Sequence, residues 1–250
     1  MHRFHISPAA CQAPLLTLAG REAHHALHVL RLDRGDTVTV LDGDGGEYLC
    51  DVLDVHRDHL ALKVRQKNTF PPLPCQVTLI QAVPKGKIIE AIIQKATELG
   101  VARIAPVLSE RVVTHLEDHD SVENKHQKWH QIAVEAIKQC GQPWLPQVEP
   151  PQSLKQFLAR PEYHDLTLVA SLQPDARHPR AIFDDYRAAH PPPPASVAIW
   201  IGPEGDFTPA EMSAIKSAGA LPITLGRLVL RVETASIYAL SVINYELQCI

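Results

Sequence analysis

The stretch VAIWIGPEGDFTPAE, residues 197–211, determines how the second half of the chain is interpreted. Val197–Ile201 is a short apolar run typical of a buried β-strand, and a turn rich in glycine and proline follows it. Thr208, Pro209 and Glu211 then fit the N-cap, first and third positions of a helix, where threonine and glutamate form a capping box. A buried strand that leads through a tight turn into a capped helix indicates an α/β fold.

The same alternation of strand and helix extends outward in both directions. Short apolar runs predict further strands at Gln76–Ala82, Ile104–Leu108, Leu166–Ala170 and Leu221–Leu225. Apolar residues at helical spacing predict helices at Lys85–Leu99, Glu123–Cys140 and about Glu233–Leu247. Strands that alternate with helices imply a mostly parallel sheet, so we expect residues 73–250 to form one α/β domain.

Residues 1–72 show a different pattern. Thr37–Leu41 and Tyr48–Val55 read as strands around the turn sequence DGDGG, and His59–Val64 reads as another strand. Glu22–Leu30 reads as a short helix. Several short strands in about 70 residues predict a small β-barrel. Pro71, Pro72 and Pro74 then mark a domain boundary, because proline fits neither a helix interior nor a central strand.

The composition excludes several classes of protein. Hydrophobic residues make up 45% of the chain and charged residues 21%, which argues against disorder and coiled coils. No run of about 18 apolar residues predicts a transmembrane helix, and the start MHRFHISPAA lacks the apolar core of a signal peptide. Five cysteines without a C-x-x-C pair favour a reducing cytosol. We therefore expect a cytoplasmic protein with no membrane association. Because the net charge of the chain is −4, only a local basic patch could hold nucleic acid.

Candidate functional residues follow the ends of the predicted strands, where open parallel sheets bind ligands. Ile201–Phe207 is one such loop, and LGRLVLRVETA, residues 225–235, is a second with two arginines four residues apart. Lys85-Gly86-Lys87 lies at the N-terminus of the first predicted helix of this domain, and Arg111 follows a strand. Arginines near a backbone loop suit an anionic substrate, although plain connecting turns with solvated cations are the alternative. The sequence contains neither a P-loop nor a Rossmann fingerprint.

Together these segments resemble the bacterial 16S ribosomal RNA methyltransferases that methylate N3 of a uridine, which belong to the knotted SPOUT class. The matching segments are HALHVLRLDRGD (25–36), KGKIIEAIIQKATELGVARIAPVLSER (85–111), EAIKQCGQ (135–142), IGPEGDFTPAE (201–211) and LGRLVLRVETA (225–235). The resemblance implies a PUA-like barrel at 1–72 that helps to hold RNA, and a SPOUT domain at 73–250 with a deep trefoil knot. It also implies S-adenosylmethionine (SAM) as methyl donor and a homodimer with the active site near the dimer interface.

The resemblance also implies which residues form the site. The SAM pocket would be built largely from backbone, at Ser171, Leu172, Ile201, Gly202, Pro203, Glu204, Gly205, Leu225, Gly226 and Leu230. RNA contacts are assigned to Arg31, Lys85, Lys87, Arg111 and Arg227. The family usually has glycine where Asp206 stands and arginine where Gln142 stands; aspartate tolerates left-handed backbone geometry, so the turn at Asp206 is expected to survive.

The chemistry of methylation suggests two catalytic residues. Uridine N3 must lose a proton before it can accept a methyl group, so a donor that stabilises the uracil anion is needed. Arg231 is the main candidate, with Arg227 as a second donor, and Arg231 could instead be a structural arginine paired with Glu233. Glu233 is the nearest candidate base, or a carboxylate that stabilises a helix start.

Two other functions stay open at this point: a non-catalytic RNA-binding or ribosome-assembly protein, and a SPOUT enzyme that acts on tRNA or 23S rRNA. The substrate is either naked small-subunit rRNA or an assembled subunit. His24, His25 and His28 lie close together, as do His115 and His119. Their spacing matches no complete zinc motif, so we expect surface or RNA-facing histidines and no metal.

Overall fold

The structure is a computed structural model that describes residues 1–11, 14–111, 119–160 and 162–248, with backbone only for residues 119–121. The chain divides into two compact units. The first comprises Met1–Pro72 with Val134–Leu145, and the second comprises Leu73–Ala133 with Pro146–Ile250. No helix of the described residues is both long enough and apolar enough to span a membrane.

The first unit contains a five-stranded sheet around its own core. Its strands are β1 (His2–His5), β2 (Leu15–Ala19), β3 (Thr37–Leu41), β4 (Gly46–Val55) and β5 (His59–Thr69), in the order β1-β3-β4-β5-β2. Only the β1–β3 pair is parallel within this described sheet. Helix α1 (Gly20–His24) continues into a π-helical turn at His25–Leu30, where an uninterrupted helix was expected. Alternate strand residues such as Leu16, Val38 and Leu60 fill the core, which confirms the predicted β-rich unit.

The predicted hairpin turn between β3 and β4 is present and depends on its glycines. Asp42 Oδ1 accepts hydrogen bonds from the backbone N–H groups of Asp44 and Gly46, each at 2.8 Å. Gly45 has a φ of +86°, and a Cβ there would lie 2.6 Å from the Phe70 carbonyl oxygen. No larger residue could replace Gly45 without moving this backbone.

The second unit is built on a parallel sheet of seven strands. They are β6 (Gln76–Ala82), β7 (Arg103–Leu108), β8 (Gln147–Val148), β9 (Gln152–Ser153), β10 (Leu166–Ala170), β11 (Ser196–Ile201) and β12 (Leu221–Ile223). The order is β12-β10-β11-β6-β7-β8, with β9 also pairing with β7. Every pair in this described sheet is parallel, as the alternating pattern predicted.

Six helices of the described chain lie between or after these strands: α2 (Ile88–Glu98), α3 (His119–Cys140), α4 (Leu154–Leu158), α5 (Pro179–Ala189), α6 (Pro209–Ser217) and α7 (Val232–Leu247), of which α7 follows the last strand. The predicted start of α2 at Lys85 was wrong by three residues. Helices α4 and α5 were not predicted from the sequence. Helix α5 starts at a proline in its first turn, and His178 caps it by accepting a hydrogen bond from Arg180 N at 3.3 Å.

The start of α6 confirms the predicted capping box and adds a second role for it. Thr208 Oγ1 accepts from Glu211 N at 3.2 Å, and the Glu211 carboxylate accepts from Thr208 N at 2.9 Å. The other Glu211 oxygen accepts from Glu110 N at 2.7 Å, beyond the end of β7. The buried carboxylate therefore joins two loops at the same edge of the sheet.

Candidate functional site

One pocket lies at the carboxyl ends of β10, β11 and β12 and has a volume of about 500 Å³. All ten residues predicted to bind the cofactor line it, and so do Arg231 and Glu233. Three separate loops supply them, after β10, after β11 and between β12 and α7. Pockets of this size at strand ends of α/β sheets commonly hold small ligands.

The loop after β11 is shaped by a short network of its own. Asp206 has a φ of +60°, the left-handed geometry that the sequence predicted it would tolerate. Asp206 N donates to the Pro203 carbonyl at 2.9 Å, and Asp206 Oδ1 accepts from Phe207 N at 2.8 Å. The Asp206 side chain therefore adds a hydrogen bond that stabilises the turn, whereas a glycine would only tolerate its backbone geometry.

Replacing Asp206 tests this account of the turn. Asp206→Val should lower the melting temperature by about 2–8 °C, because a β-branched residue at positive φ costs roughly 1–2 kcal/mol. Asp206→Asn should remain close to the original protein, because asparagine tolerates the same φ and keeps the Oδ1 acceptor. Thermal unfolding of the two variants, side by side, measures the difference. Equal melting temperatures would show that the positive φ of Asp206 is not retained in solution.

The space around Gly202, and not its backbone conformation, limits the size of the residue at this position. It does not have a positive φ. A Cβ at Gly202 would lie 3.0 Å from Asp206 Oδ1 and 3.4 Å from two atoms of Phe207. A side chain at Gly202 would therefore require Asp206 or Phe207 to shift by a few tenths of an ångström.

The segment from the end of β12 to the first turn of α7 carries the residues predicted to be catalytic. The predicted strand end at Leu225 was wrong, because β12 stops at Ile223 and Thr224 Oγ1 bonds to Gly226 N at 3.2 Å. Leu228 and Val229 are 78% and 79% exposed. Arg231 is the exposed N-cap residue of α7, and Glu233 lies in the first turn of that helix.

The side chain of Arg231 is available to a ligand. Within the described part of the chain it makes no capping hydrogen bond, and no ion pair joins it to Glu233. The alternative of a structural Arg231–Glu233 pair therefore finds no support in this geometry. A short segment between a strand and a helix fixes the backbone of Arg231 while leaving its guanidinium exposed to the pocket.

The predicted RNA-binding residues are placed differently from one another. Arg111 donates from its guanidinium to the Gly205 carbonyl, and also to the Asp206 carbonyl at 3.5 Å. The Lys85 backbone N–H donates to Glu204 Oε1 at 2.9 Å, while the Lys87 side chain is exposed at the start of α2. These contacts hold the loop after β11 from two sides.

Like the other three, Arg227 and Arg31 do not line the pocket. Arg227 is exposed in the loop between β12 and α7. Arg31 belongs to the first unit, where it ends the π-helical turn with a φ of +55°. Non-glycine residues seldom adopt that geometry, so the local structure fixes the backbone from which the exposed Arg31 side chain projects.

A buried hydrogen bond behind the site was not predicted from the sequence. Ser236 Oγ donates to Gln81 Oε1 at 2.6 Å, and both residues are fully buried. This bond ties the N-terminal part of α7, which carries Arg231 and Glu233, to strand β6. No sequence signal links two residues that lie 155 positions apart. The pocket residues Ile88, Val232 and Ala235 were not among the predicted site residues, although Ile88 directly follows Lys87 and the other two lie within the candidate loop 225–235.

The lining of the pocket fits the cofactor that the resemblance implies. Among its described residues, Glu204, Asp206 and Glu233 carry carboxylates and Arg231 carries a guanidinium. Ile88, Leu225, Leu230 and other side chains supply apolar walls. A net negative lining favours a cationic ligand, and apolar walls around exposed backbone suit a nucleoside base. SAM combines a sulfonium cation with an adenosine group.

The chain matches two family models. One, described as an RNA methyltransferase domain, covers residues 71–244, and the other, described as an RNA methyltransferase PUA domain, covers residues 18–65. Ribosomal RNA small subunit methyltransferase E of Bacillus subtilis (strain 168) is 33% identical over 236 residues, 94% of this chain and 91% of that protein. The protein of the same description from Synechocystis sp. is 34% identical over 251 residues, 99% of this chain and 78% of that protein.

Two solved structures are similar over almost the whole chain. A methyltransferase from Legionella pneumophila in complex with bound SAM has a TM-score of 0.86 at 31% identity, and the match covers 98% of this chain and 97% of that one. Ribosomal RNA small subunit methyltransferase E from Neisseria gonorrhoeae, bound to S-adenosyl methionine, has a TM-score of 0.83 at 25% identity with the same coverage.

Proposed function

This chain belongs to the RNA methyltransferase family, and on that premise we propose that it transfers a methyl group from SAM to N3 of a uridine in small-subunit (16S) ribosomal RNA. One observation carries the proposal: the ten predicted cofactor residues meet Arg231 and Glu233 in a single pocket. The names of the similar proteins support the rRNA substrate, and two similar structures with bound SAM support the cofactor.

Some residues of the pocket bind SAM, and others stabilise the negative charge that develops on the uridine. When bound, SAM supplies a methyl group on a positively charged sulfonium. Glu204 and Asp206 place negative charge near that cation, and the glycines of the loop allow close backbone contact. The Glu204 carboxylate is held in place by the Lys85 N–H.

Arg231 and Glu233 act on the uridine. As N3 loses its proton, negative charge spreads to the uracil oxygens, and the Arg231 guanidinium can donate hydrogen bonds to them. Glu233 either accepts the N3 proton or stabilises the start of α7 through the helix dipole. A uridine in a paired region would first have to be flipped out of its stack.

The proposed RNA contacts are Arg31, Lys85, Lys87, Arg111 and Arg227. Exposed cations of this kind position a nucleic acid through its phosphates without reading its sequence. Arg111 has a further part, because its hydrogen bonds to the Gly205 and Asp206 carbonyls hold the loop that lines the pocket. We propose that residues 1–72 help to hold the RNA and that residues 73–250 carry the cofactor.

The assembly and topology that the resemblance implies remain part of the proposal. A homodimer would cover exposed apolar residues such as Leu228 and Val229 beside the pocket. Sedimentation velocity tests the dimer, and a fully active monomer would contradict it. The deep trefoil knot of residues 73–250 stays a prediction, as does a cytoplasmic location, which ribosomal RNA as substrate favours.

The decisive experiment is mass mapping of methylated nucleosides in ribosomal RNA from cells with and without this protein. We expect one N3-methyluridine of the small subunit to disappear and to return with the original protein. Loss of a mark in tRNA or 23S rRNA instead would assign the protein to another SPOUT substrate. An unchanged nucleoside map, with no SAM binding by calorimetry, would identify a non-catalytic RNA-binding protein.

A further inference from the structure

The clustered histidines, which the proposed function does not use, pack within the first unit. His24 and His28 lie 4.6 Å apart between ring centroids, and His25 lies edge-on against Phe4. Within the described ranges, no group of three or more histidine, cysteine, aspartate or glutamate side chains is arranged to hold a metal ion, and His115 lies outside those ranges. The unused feature that bears on function is instead a buried amide behind the pocket.

Gln81 is a polar residue near the end of β6, an interior strand of the parallel sheet, and its side chain is fully buried. Burying an amide costs free energy unless the amide is hydrogen-bonded, and an apolar side chain of similar length would fill the same space. Both polar atoms of this amide have partners: Nε2 donates to the Ala82 carbonyl at 2.9 Å, and Oε1 accepts from Ser236 Oγ at 2.6 Å. Buried polar groups with satisfied bonds fix the relative position of the elements that they join.

Gln81 lies between the two loops whose residues are proposed to carry out the reaction. On one side it pairs with Ile201 in the ladder of β6 and β11, and Ile201 lines the pocket where the loop after β11 begins. On the other side its partner Ser236 lies one helical turn after Val232, the first residue of α7. The Ser236 hydroxyl also lies 2.9 Å from the Val232 carbonyl oxygen. The amide therefore connects the start of the loop after β11 with the start of α7.

The start of α7 depends on this connection because it lacks a side-chain cap. Arg231, at the N-cap, makes no capping hydrogen bond, so its side chain satisfies none of the free N–H groups of the first turn. The opposite end of the helix has an anchor of its own. Gln248 Nε2 donates to the Cys75 carbonyl at 2.6 Å, and Cys75 N donates to Gln248 Oε1 at 3.3 Å. Cys75 lies about 20 Å from Gln81 along β6, at about 3.3 Å for each residue.

We infer that Gln81 is a positioning residue for methyl transfer: through Ser236 it holds the start of α7 at a fixed distance from the loop after β11. The inference rests on the proposed function. Arg231 and Glu233, proposed to act on the uridine, are placed in this way relative to the cofactor. In-line transfer requires aligned reactants, and a misplacement of about 1 Å can cost about 100-fold in rate. Gln81 and Ser236 do not line the pocket, so they act through the residues that they place.

The test measures single-turnover methylation of small-subunit rRNA, free or within subunits, from cells that lack the protein. Gln81→Met keeps the length of the side chain and removes both hydrogen bonds of the amide, whereas Ser236→Ala removes only the hydroxyl. At saturating SAM and RNA, we expect each variant to lose about 10- to 100-fold in rate. The dissociation constant for SAM and the RNA concentration for half-maximal rate should change less than about threefold, because neither residue contacts a substrate.

Gln248→Met is the matched control, because it removes a buried amide from the other end of the same helix. Its melting temperature should fall by roughly 2–12 °C, since it leaves buried backbone groups of Cys75 without partners. Its single-turnover rate per folded molecule should stay within about twofold of the original, because the lost bonds lie far from the pocket. An equal loss of rate in Gln248→Met would assign the effect to the stability of the whole helix and overturn the inference.

The double variant of Gln81→Met and Ser236→Ala separates position from stability. Ser236→Ala alone leaves Gln81 Oε1 buried without its donor, whereas the double variant replaces both partners with apolar groups, which costs less. We therefore expect the double variant to regain part of the melting temperature lost in Ser236→Ala, and yet to remain as slow as the slower single variant. A rate that recovers together with the melting temperature would show that stability alone controls activity, against the inference.

The remaining outcomes are distinguishable from one another. A normal single-turnover rate in folded Ser236→Ala overturns the inference, and this variant decides alone if Gln81→Met does not fold. A weaker SAM affinity that accounts for the whole loss of rate also overturns it, because the amide would then act on cofactor binding. These results contradict only this inference. Absence of methyl transfer by the original protein contradicts the proposed function and, with it, the inference.

Discussion

Replacing Gly202 with valine should weaken SAM binding by roughly 10- to 100-fold, because overpacking costs about 1–3 kcal/mol and each tenfold in affinity corresponds to about 1.4 kcal/mol. A Cβ at this position already lies 3.0 Å from Asp206 Oδ1 and 3.4 Å from the Phe207 ring and backbone nitrogen. The two methyl groups of valine extend the conflict. They must displace the loop after β11 or occupy pocket space.

A graded series makes the result specific to the site. Gly202→Ala should weaken SAM binding less than Gly202→Val, because it adds the Cβ without the two further methyl groups. Ala214→Val provides a matched control on the exposed face of α6, away from the pocket. Isothermal calorimetry and thermal unfolding on each variant distinguish pocket damage from unfolding. Normal SAM affinity in folded Gly202→Val would show that this loop does not form the cofactor pocket.

Local signals in the sequence predicted most of the second unit. Strands β6 and β10 match the predicted ranges residue for residue, because each is an apolar run of strand length between breakers. The capping box at Thr208 and Glu211 was equally readable, since both partners lie within four residues. The pocket residues could be proposed together because the carboxyl ends of parallel strands meet at one edge of the sheet.

Features that depend on distant partners could not be predicted in this way. The second hydrogen bond of Glu211, to Glu110 N, and the bond between Gln81 and Ser236 join residues more than 100 positions apart. The tight packing around Gly202 could not be read from the sequence either, because it depends on where the folded loop places Asp206 and Phe207. Helix α5 was missed although it begins with a proline in its first turn, the same start signal that identified α6.

Replacing Arg231 with alanine should reduce the rate of methyl transfer by roughly 10²-fold or more, which is the effect of removing one preorganised donor that stabilises developing charge. The position supports this size of effect. Arg231 lines the pocket as the N-cap residue of α7, and its guanidinium has no ion-pair partner among the described residues. SAM affinity should change little, because the cofactor contacts are assigned to the other loops and to Leu225–Leu230. Arg231→Lys should recover little activity, since an ammonium cannot reproduce a planar fork of donors.

The matched control is Arg227→Ala, an exposed arginine of the same loop that does not line the pocket. Its loss should raise the RNA concentration needed for half-maximal rate and weaken the salt dependence of RNA binding, while the single-turnover rate at saturating RNA stays nearly unchanged. Arg231→Ala should show the opposite pattern, with the loss confined to the single-turnover rate, because stabilisation of the uracil anion arises only as the proton leaves N3. A structural role for Arg231 would appear as a lower melting temperature with turnover per folded molecule preserved. Near-normal turnover in folded Arg231→Ala would remove the residue from the mechanism and leave Arg227 as the remaining arginine of this loop to test.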